Sequence, residues 1–216
     1  MRTKILIPMM MLSLFCINLS VQAQSDRKYR KTMEKEYKAK VKELKKQKWQ
    51  ISGSSLTLNA AIMKHQRTLD ANENSKELIA TVSMCQSLNV CRSNALNNAL
   101  IEYAQGAGSY VRGRIASDMF NNSSAEAPQE LDNFYAAYER LVSAEVKGEL
   151  EFSLALEKKN GAGKSYQAWY IINEDKASKA RMRAMRRAAE ESRLAQEYAH
   201  QISQFVQEGF GEPNSN

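Results

Sequence analysis

The sequence predicts an α+β fold, in which an antiparallel sheet of three or four strands is covered by a long central helix and a C-terminal helix. Three observations predict this fold. Apolar and polar residues alternate from Val146 to Glu157, which is typical of a strand with one wet face. Apolar residues recur every three or four positions from Asn89 to Met119, and again from Asp175 to Glu208, which is typical of helices. A basic helix near the N-terminus is expected to be peripheral to this domain.

Residues 1–23 have the organisation of an export signal. Arg2 and Lys4 form its positive start, Ile5–Leu19 its apolar run, and Val21–Ala23 a small-residue cleavage motif. The apolar run is shorter than the roughly 20 residues that a membrane-spanning helix needs. The segment therefore predicts export of the chain.

Cys16 raises the alternative of a lipoprotein. A lipidation site needs a small residue before the cysteine, and Phe15 occupies that position. We therefore expect cleavage after Ala23 and a mature chain that is periplasmic, associated with the cell envelope, or secreted.

The segment that follows, 24–48, is predicted to be a basic amphipathic helix, ahead of an α+β domain at 49–211 and a disordered tail at 212–216. From Arg27 to Trp49 the chain has 11 basic and three acidic residues, a net charge of +8. From Gln50 onward it has 18 basic and 20 acidic residues, a net charge of −2. The basicity of the protein is therefore local. An apolar stripe at helical spacing accompanies it, formed by Met33, Tyr37, Val41 and Leu44.

This basic segment has two interpretations. It is either a surface for anionic lipid, glycan or nucleic acid, or a solvated helix whose apolar stripe rests on the core. Nucleic acid is the least favoured partner, because an exported protein seldom meets it and no recognition motif accompanies the charge. The candidate contacts to an anionic surface are Arg27, Lys28, Arg30, Lys31, Lys38, Lys42, Lys45 and Lys46.

The central helix is predicted to present two adjacent surfaces. Its apolar face contains Leu96, Leu100, Tyr103, Ala107, Val111 and Ile115. A strip of small residues beside that face contains Ala95, Ala99, Gly106, Gly113 and Ser117, and a sheet is expected to lie close against it. Each glycine costs roughly 1 kcal/mol relative to alanine inside a helix. A break near Gly106–Gly108 is therefore the alternative.

The shorter elements are predicted from local patterns. Before the central helix we expect a strand at Trp49–Ser52, a helix capped by Ser54 or Ser55, and a strand at Leu78–Cys85. After it we expect a loop at residues 121–129 and a helix of about three turns marked by Leu131, Phe134, Tyr138 and Leu141. A hairpin then joins Val146–Glu157 to Ser165–Asn173 through Asn160–Gly163.

Cys85 and Cys91 remain after cleavage of the signal. A single pair of cysteines in an exported protein predicts a disulfide. Metal binding is disfavoured because a Cys-x5-Cys pair lacks two ligands and neither His65 nor His200 is near in sequence, so no metal and no cofactor is expected. A Cys–His catalytic pair is formally possible, but a histidine on the apolar face of a helix, as at position 65, is more typical of the core.

Other motifs do not add a catalytic site. Gly161–Ser165 resembles a phosphate-binding loop, but it lacks the earlier glycine and lies between two strands instead of before a helix. Glu149 and Glu151 alternate on the outer face of a strand and indicate solubility more than glycosidase chemistry. The chain contains no Gly-x-Ser-x-Gly and no His-Glu-x-x-His.

Four segments carry a resemblance to known proteins: SGSSLTLNAAIMKH, NVCRSNALNNALIEYAQGAGSYVRGRI, FYAAYERLVSAEVKGELEFSLAL and ARMRAMRRAAEESRLAQEYA. Together they resemble a group of uncharacterised exported proteins from gut Bacteroidota. More distantly, the order of a small-residue helix, a β-hairpin and a terminal helix is similar to the small α/β envelope lipoproteins of Helicobacter. The resemblance implies location and fold, and it brings no catalytic motif.

These observations predict a non-catalytic exported or envelope-associated binding or structural module. Its expected partners are an anionic envelope surface or glycan, and a protein partner or a second copy of the chain is also compatible with the sequence. Tyr166, Trp169 and Tyr170 on the hairpin, with Met182 and Met185 among arginines, are candidate contact residues. The alternative is an exported enzyme of another family, which a deep pocket that gathers several polar groups would favour.

Overall fold

A computed structural model of the protein describes residues 31–72, 74–119 and 130–208. The predicted signal segment, Cys16, the loop at 121–129 and the C-terminal tail lie outside the described residues. The chain divides into two compact units, Met1–Lys48 and Trp49–Asn216. Within the described ranges, no helix is both long enough and apolar enough to cross a membrane.

The first unit contains helix α1, described over residues 31–46. The second unit is α+β, and its elements are β1 (Gln50–Ile51), α2 (Leu58–Asp70), β2 (Ser75–Cys85), α3 (Leu88–Arg114, continued by a π-helical turn at Ile115–Met119), α4 (Glu130–Val146), β3 (Leu150–Asn160), β4 (Gly163–Asn173), α5 (Glu174–Ala189), α6 (Arg193–Glu197) and α7 (Ala199–Glu208).

The sheet has four antiparallel strands in the order β1-β3-β4-β2. The predicted hairpin is its centre: β3 and β4 pair from Leu150↔Ile172 to Asn160↔Gly163. Gly161 occupies the turn with φ of 58°, a left-handed conformation that suits glycine. The α+β fold, the antiparallel sheet and the long central helix are therefore confirmed.

Strand β3 starts later than the alternation of apolar residues predicts. Val146 is the last residue of α4, and Lys147–Glu149 form a short 3-10 turn before the strand begins. Val146 is fully buried in the helical core, so its apolar side chain belongs to the helix pattern and not to the strand pattern.

A β-bulge also breaks the alternation within β3. Phe152 pairs with Tyr170 and Leu154 pairs with Trp169, so Ser153 is an extra residue without a partner in the register. Before the bulge, Leu150 and Phe152 lie on the side of the sheet that packs on α3, whereas Leu154 and Leu156 after it share the side of Trp169. The uninterrupted alternation in the sequence therefore covers two different faces.

Helix α3 is continuous through its glycines, so the alternative break near Gly106–Gly108 does not occur. Its buried face changes along its length. Ala95 and Ala99 pack against the sheet, as predicted, whereas Ala104 and Val111 pack in the helical core with α4.

The predicted small-residue strip is wrong in its second half. Gly106 and Gly113 are exposed, as is Ser117, because the neighbour of α3 changes from the sheet to α4. Gly108, which was not part of the predicted strip, lies instead where α3 closely approaches α4. A Cβ atom there would overlap the side chain of Glu139 on α4.

Two predicted helices differ in their ends. The N-cap of α2 is Thr57, whose hydroxyl accepts from the backbone N–H of Ala60, and not Ser54 or Ser55. The predicted C-terminal helix is interrupted after Ala189, and Ser192 caps the next turn by accepting from the N–H of Ala195. This interruption allows α7 to pack back on α5.

Candidate functional site

The lysines of α1 form one continuous face. At 100° per residue, the positions of Lys31, Lys35, Lys38, Lys42, Lys45 and Lys46 all fall within a strip about 100° wide. We call these six residues the lysine face, and each of them is exposed. Five of them were predicted contacts, and Lys35 joins them because it lies one turn from Lys31. Arg27, Lys28 and Arg30 lie outside the described residues.

The opposite side of α1 carries the apolar stripe. Val41 and Leu44 are buried and Met33 and Tyr37 are partly buried, so the predicted stripe is the less exposed face of this helix. No acidic residue lies within the lysine face itself. Glu34 lies beside it and contacts the ammonium of Lys38 at 2.6 Å, and this hydrogen bond lowers the pKa of Glu34 and raises that of Lys38.

A second constellation lies on the side of the sheet that faces α2. His65 is 1% exposed, and both of its ring nitrogens have partners. Its Nδ1 lies 2.7 Å from Ser153 Oγ, and its Nε2 lies 2.6 Å from Glu77 Oε2. The Trp169 ring packs against the imidazole in an edge-to-face arrangement, with ring centroids 5.2 Å apart. We call Ser153, His65 and Glu77 the histidine array.

Three separate elements position the array. Helix α2 supplies His65 from its buried face, next to Ile62. The bulge in β3 supplies Ser153, since the extra residue turns towards the side of the sheet that carries Leu154. Strand β2 supplies Glu77, which pairs with Ile171 on β4.

A cleft of about 490 Å³ lies near the array, and none of Ser153, His65 and Glu77 is among its lining residues. Its lining includes the apolar residues Leu150 and Ile171 and the polar residues Thr68, Asn72, Asn173 and Glu151. Ile171 pairs with both Glu77 and Glu151, so the cleft and the array share the same part of the sheet. Glu149 also lines the cleft, and its carboxylate lies 3.7 Å from Arg183.

The cysteine pair lies at the far end of β2. The sulfur atoms of Cys85 and Cys91 are at disulfide distance, and their Cα atoms are 5.4 Å apart. The pair joins the end of β2 to the first turn of α3. Both side chains are buried, so the pair has a structural position.

The hairpin aromatics do not form a contact surface. Tyr166, Trp169 and Tyr170 are all buried in the core, because β4 is a central strand covered on both faces. Met185 is buried as well, and Met182 packs partly against the helical core. These residues are therefore not available to a macromolecular partner.

One buried charge was not predicted. Arg181 on α5 is 1% exposed, and its Nη2 lies 2.6 Å from Glu174 Oε1. Its Nη1 also donates to the hydroxyl of Tyr103. Burial alone would lower the pKa of Arg181, but the nearby Tyr103 and Glu174 raise it overall. A single arginine among the exposed Arg183 and Arg186 gave no sequence signal of its burial.

No metal site is built from the part of the chain that the structure describes: it contains no group of three or more His, Cys, Asp or Glu side chains that could hold an ion. His200 is exposed on α7 and does not approach the array in sequence or in any described contact.

No family model and no curated protein matches the chain. A crystal structure of a hypothetical protein from Francisella tularensis is similar over 60% of this chain, with a TM-score of 0.31 and 14% sequence identity. The match spans 50% of the length of that protein.

Proposed function

We propose that the protein is an exported binding module that attaches to an anionic surface of the cell envelope through the lysine face of α1. The observation that carries this proposal is the arrangement of the six lysines on one strip with no acidic residue among them. At 1.5 Å per residue, the strip from Lys31 to Lys46 is about 23 Å long.

Electrostatics support an anionic partner. A lysine near an anionic membrane contributes about 1 kcal/mol of attraction, and several lysines on one side of a helix add their contributions at the same surface. From Gln50 onward the chain has a slight net negative charge, so the second unit has no comparable attraction to an anionic surface. The apolar stripe lies on the other side of the helix and leaves the lysine face available.

The predicted export signal at residues 1–23 and the cysteine pair support the proposed location. An envelope offers anionic phospholipid head groups and acidic glycans as partners. We propose the phospholipid surface first, because a regular strip of lysines suits an extended layer of charge better than a single glycan epitope.

Vesicle co-sedimentation tests the proposal. The mature chain from Gln24 is expected to bind vesicles rich in phosphatidylglycerol at low salt and to dissociate from them as added salt screens the charges. It is expected not to bind phosphatidylcholine vesicles, which have no net charge. Binding to an acidic polysaccharide but not to the anionic vesicles would identify a glycan as the partner. Binding to neither would refute the attachment.

A further inference from the structure

The histidine array has the parts of a nucleophile and its base. Ser153 is partly exposed, whereas His65 is buried, so a substrate can reach the serine hydroxyl. The distances of 2.7 Å from Ser153 to His65 and 2.6 Å from His65 to Glu77 are within the range for direct proton transfer. His65 is 88 positions from Ser153 and 12 positions from Glu77 in the sequence, so no local sequence motif contains the three residues.

From this geometry we propose that Ser153 is the nucleophile of an esterase site, with His65 as its general base and Glu77 as the residue that positions His65. One neutral tautomer of His65 satisfies both contacts. In it, Nε2–H donates to the carboxylate of Glu77, and Nδ1 accepts from the hydroxyl of Ser153. This is the protonation that activates a serine, because the free lone pair of the imidazole faces the hydroxyl proton.

The reaction balances with water as the second substrate. Ser153 Oγ attacks the acyl carbon of an ester while Nδ1 of His65 takes its proton, and that proton then leaves with the alcohol as the ester bond breaks. The acyl group remains on Ser153. Water attacks the acyl carbon, gives its proton to His65, and the released carboxylic acid leaves as His65 returns the proton to Ser153 Oγ.

The edge of the sheet next to Ser153 can supply hydrogen-bond donors. Strand β1 pairs only with Leu156 and Glu157, so none of the described strands covers β3 between Leu150 and Leu154. Backbone N–H groups on such an edge are the kind of donor that stabilises an oxyanion. A bulge at this position is also typical of strands that re-aim a side chain at a functional site.

The cleft indicates the class of ester. Glu151 lines the cleft and is two residues from Ser153 along β3, although Ser153 itself is not among the lining residues. Thr68 also lines the cleft and is one helical turn after His65. The polar part of the lining includes Asn72 and Asn173, so the cleft suits an ester of a hydroxylated alcohol, such as an acylated sugar, more than a long-chain lipid ester.

This activity is separate from the attachment through α1, since its three residues all belong to the second unit. A chain that hydrolyses esters but does not bind vesicles would overturn the attachment alone. A chain that binds vesicles but has an inert Ser153 would overturn the esterase site alone.

Labelling with a fluorophosphonate tests the site, since this probe phosphonylates activated serines and leaves ordinary serine hydroxyls unmodified. The purified full chain is treated with the probe, and the modified residue is mapped by mass spectrometry. We expect a single modified serine, Ser153. The matched serine control is Ser52→Ala, because Ser52 is also hydrogen-bonded to a glutamate, Glu157 at 2.9 Å, but has no histidine beside it.

The variants separate catalysis from structure. His65→Gln is expected to abolish labelling in a protein that keeps its circular dichroism spectrum. Glu77→Gln is expected to slow labelling roughly 100-fold or more and to change its pH profile, because it removes the group that fixes the tautomer. Glu77 is partly exposed, so Glu77→Gln is expected to fold. It therefore tests the role of the array even if His65→Gln does not fold.

Two results would overturn the proposal. One is a folded wild-type chain in which Ser153 stays unmodified while a known serine hydrolase in the same tube is labelled. The other is labelling of Ser153 at an unchanged rate in folded Glu77→Gln.

Discussion

Cys85 and Cys91 illustrate what a residue pair contributes at the end of an element. The bridge fixes the last residue of β2 to the first turn of α3, so it holds the start of the central helix on the sheet. The loop it closes spans only six residue positions, and the chain-entropy model gives such a short loop about 2 kcal/mol of stabilisation.

We therefore expect replacement of both cysteines by serine to lower the free energy of unfolding by about 2 kcal/mol. Urea denaturation of the two proteins measures this difference. Alkylation without reductant should leave both thiols of the wild-type protein unmodified when it is recovered from the envelope. Free thiols at both positions would contradict the bridge.

Tyr103 is expected to make the free energy of unfolding depend on pH in the alkaline range. Burial is the main cause that raises its pKa to about 12, and Tyr135 and Tyr170 are raised to about 12 for the same main reason. In the unfolded chain a tyrosine releases its proton near pH 10. The folded protein keeps the proton above that pH, so this contribution to stability is complete below about pH 10 and is lost as the pH rises towards about 12.

The expected result is a free energy of unfolding that falls between about pH 10 and 12, by roughly 1.4 kcal/mol per pH unit for each such tyrosine. Urea denaturation at several alkaline pH values measures it. Tyr103→Phe should reduce the slope, even though it also removes the acceptor for Arg181 and lowers stability at neutral pH. A stability that is flat across this range would contradict the effect of burial.

At the scale of elements, helix α3 shows how one helix can serve two neighbours. Its first half presents Ala95 and Ala99 to the sheet, and small side chains there permit close packing. Its second half presents larger residues, such as Tyr103 and Val111, to the helical core. The two halves therefore tolerate different substitutions.

Ala99→Leu is expected to cost roughly 1–3 kcal/mol, because the larger side chain has no space between α3 and the sheet. The matched control is Asn97→Leu, which introduces the same leucine side chain at an exposed position of the same helix. Asn98 is less suitable as a control, since its side chain donates to the carbonyl of Thr81. Thermal or urea denaturation compares the two variants, and equal stability would show that the packed face was assigned wrongly.

The same elements show what the sequence can and cannot reveal. Periodicity predicted the hairpin, the central helix and the antiparallel sheet, because each pattern reflects one face buried over many residues. It failed at Ser153 and at Gly106, where a bulge or a change of neighbour moves the buried face without altering the pattern of residue types. Such changes depend on tertiary contacts that no local window contains.

The candidate sites differ in the same way. The lysine face could be predicted, since it lies on one helix and charge is read directly from the sequence. The histidine array could not, because Ser153, His65 and Glu77 meet only after α2, β2 and β3 have packed. The isolated His65 on an apolar helix face was the single local signal, and it indicated burial without naming its partners.

At the scale of the whole molecule, charge is divided between the two units. From residue 1 to residue 48 the chain has 13 basic and four acidic residues. The second unit has 18 basic and 20 acidic residues. A protein organised in this way can attach through one unit and keep the other for a different task. We therefore treat attachment through the lysine face and ester hydrolysis at the histidine array as two separate proposals.

We propose that the arrangement of charge on α1, and not the total charge, attaches the protein to an anionic surface. Lys31, Lys38 and Lys45 mark successive two-turn steps along the lysine face, and replacing all three by glutamate changes the net charge by −6. The control is a triple replacement by glutamate at exposed lysines of the second unit, which changes the net charge equally: Lys147, Lys159 and Lys179.

The decisive measurement is the affinity of these two variants and the unaltered mature chain for phosphatidylglycerol vesicles at one low salt concentration. We expect the lysine-face variant to lose roughly 100-fold or more in affinity, at about 1 kcal/mol for each lysine, while the control stays close to the unaltered chain. Equal losses in both variants would show that only net charge matters, and an unchanged affinity of the lysine-face variant would contradict the attachment.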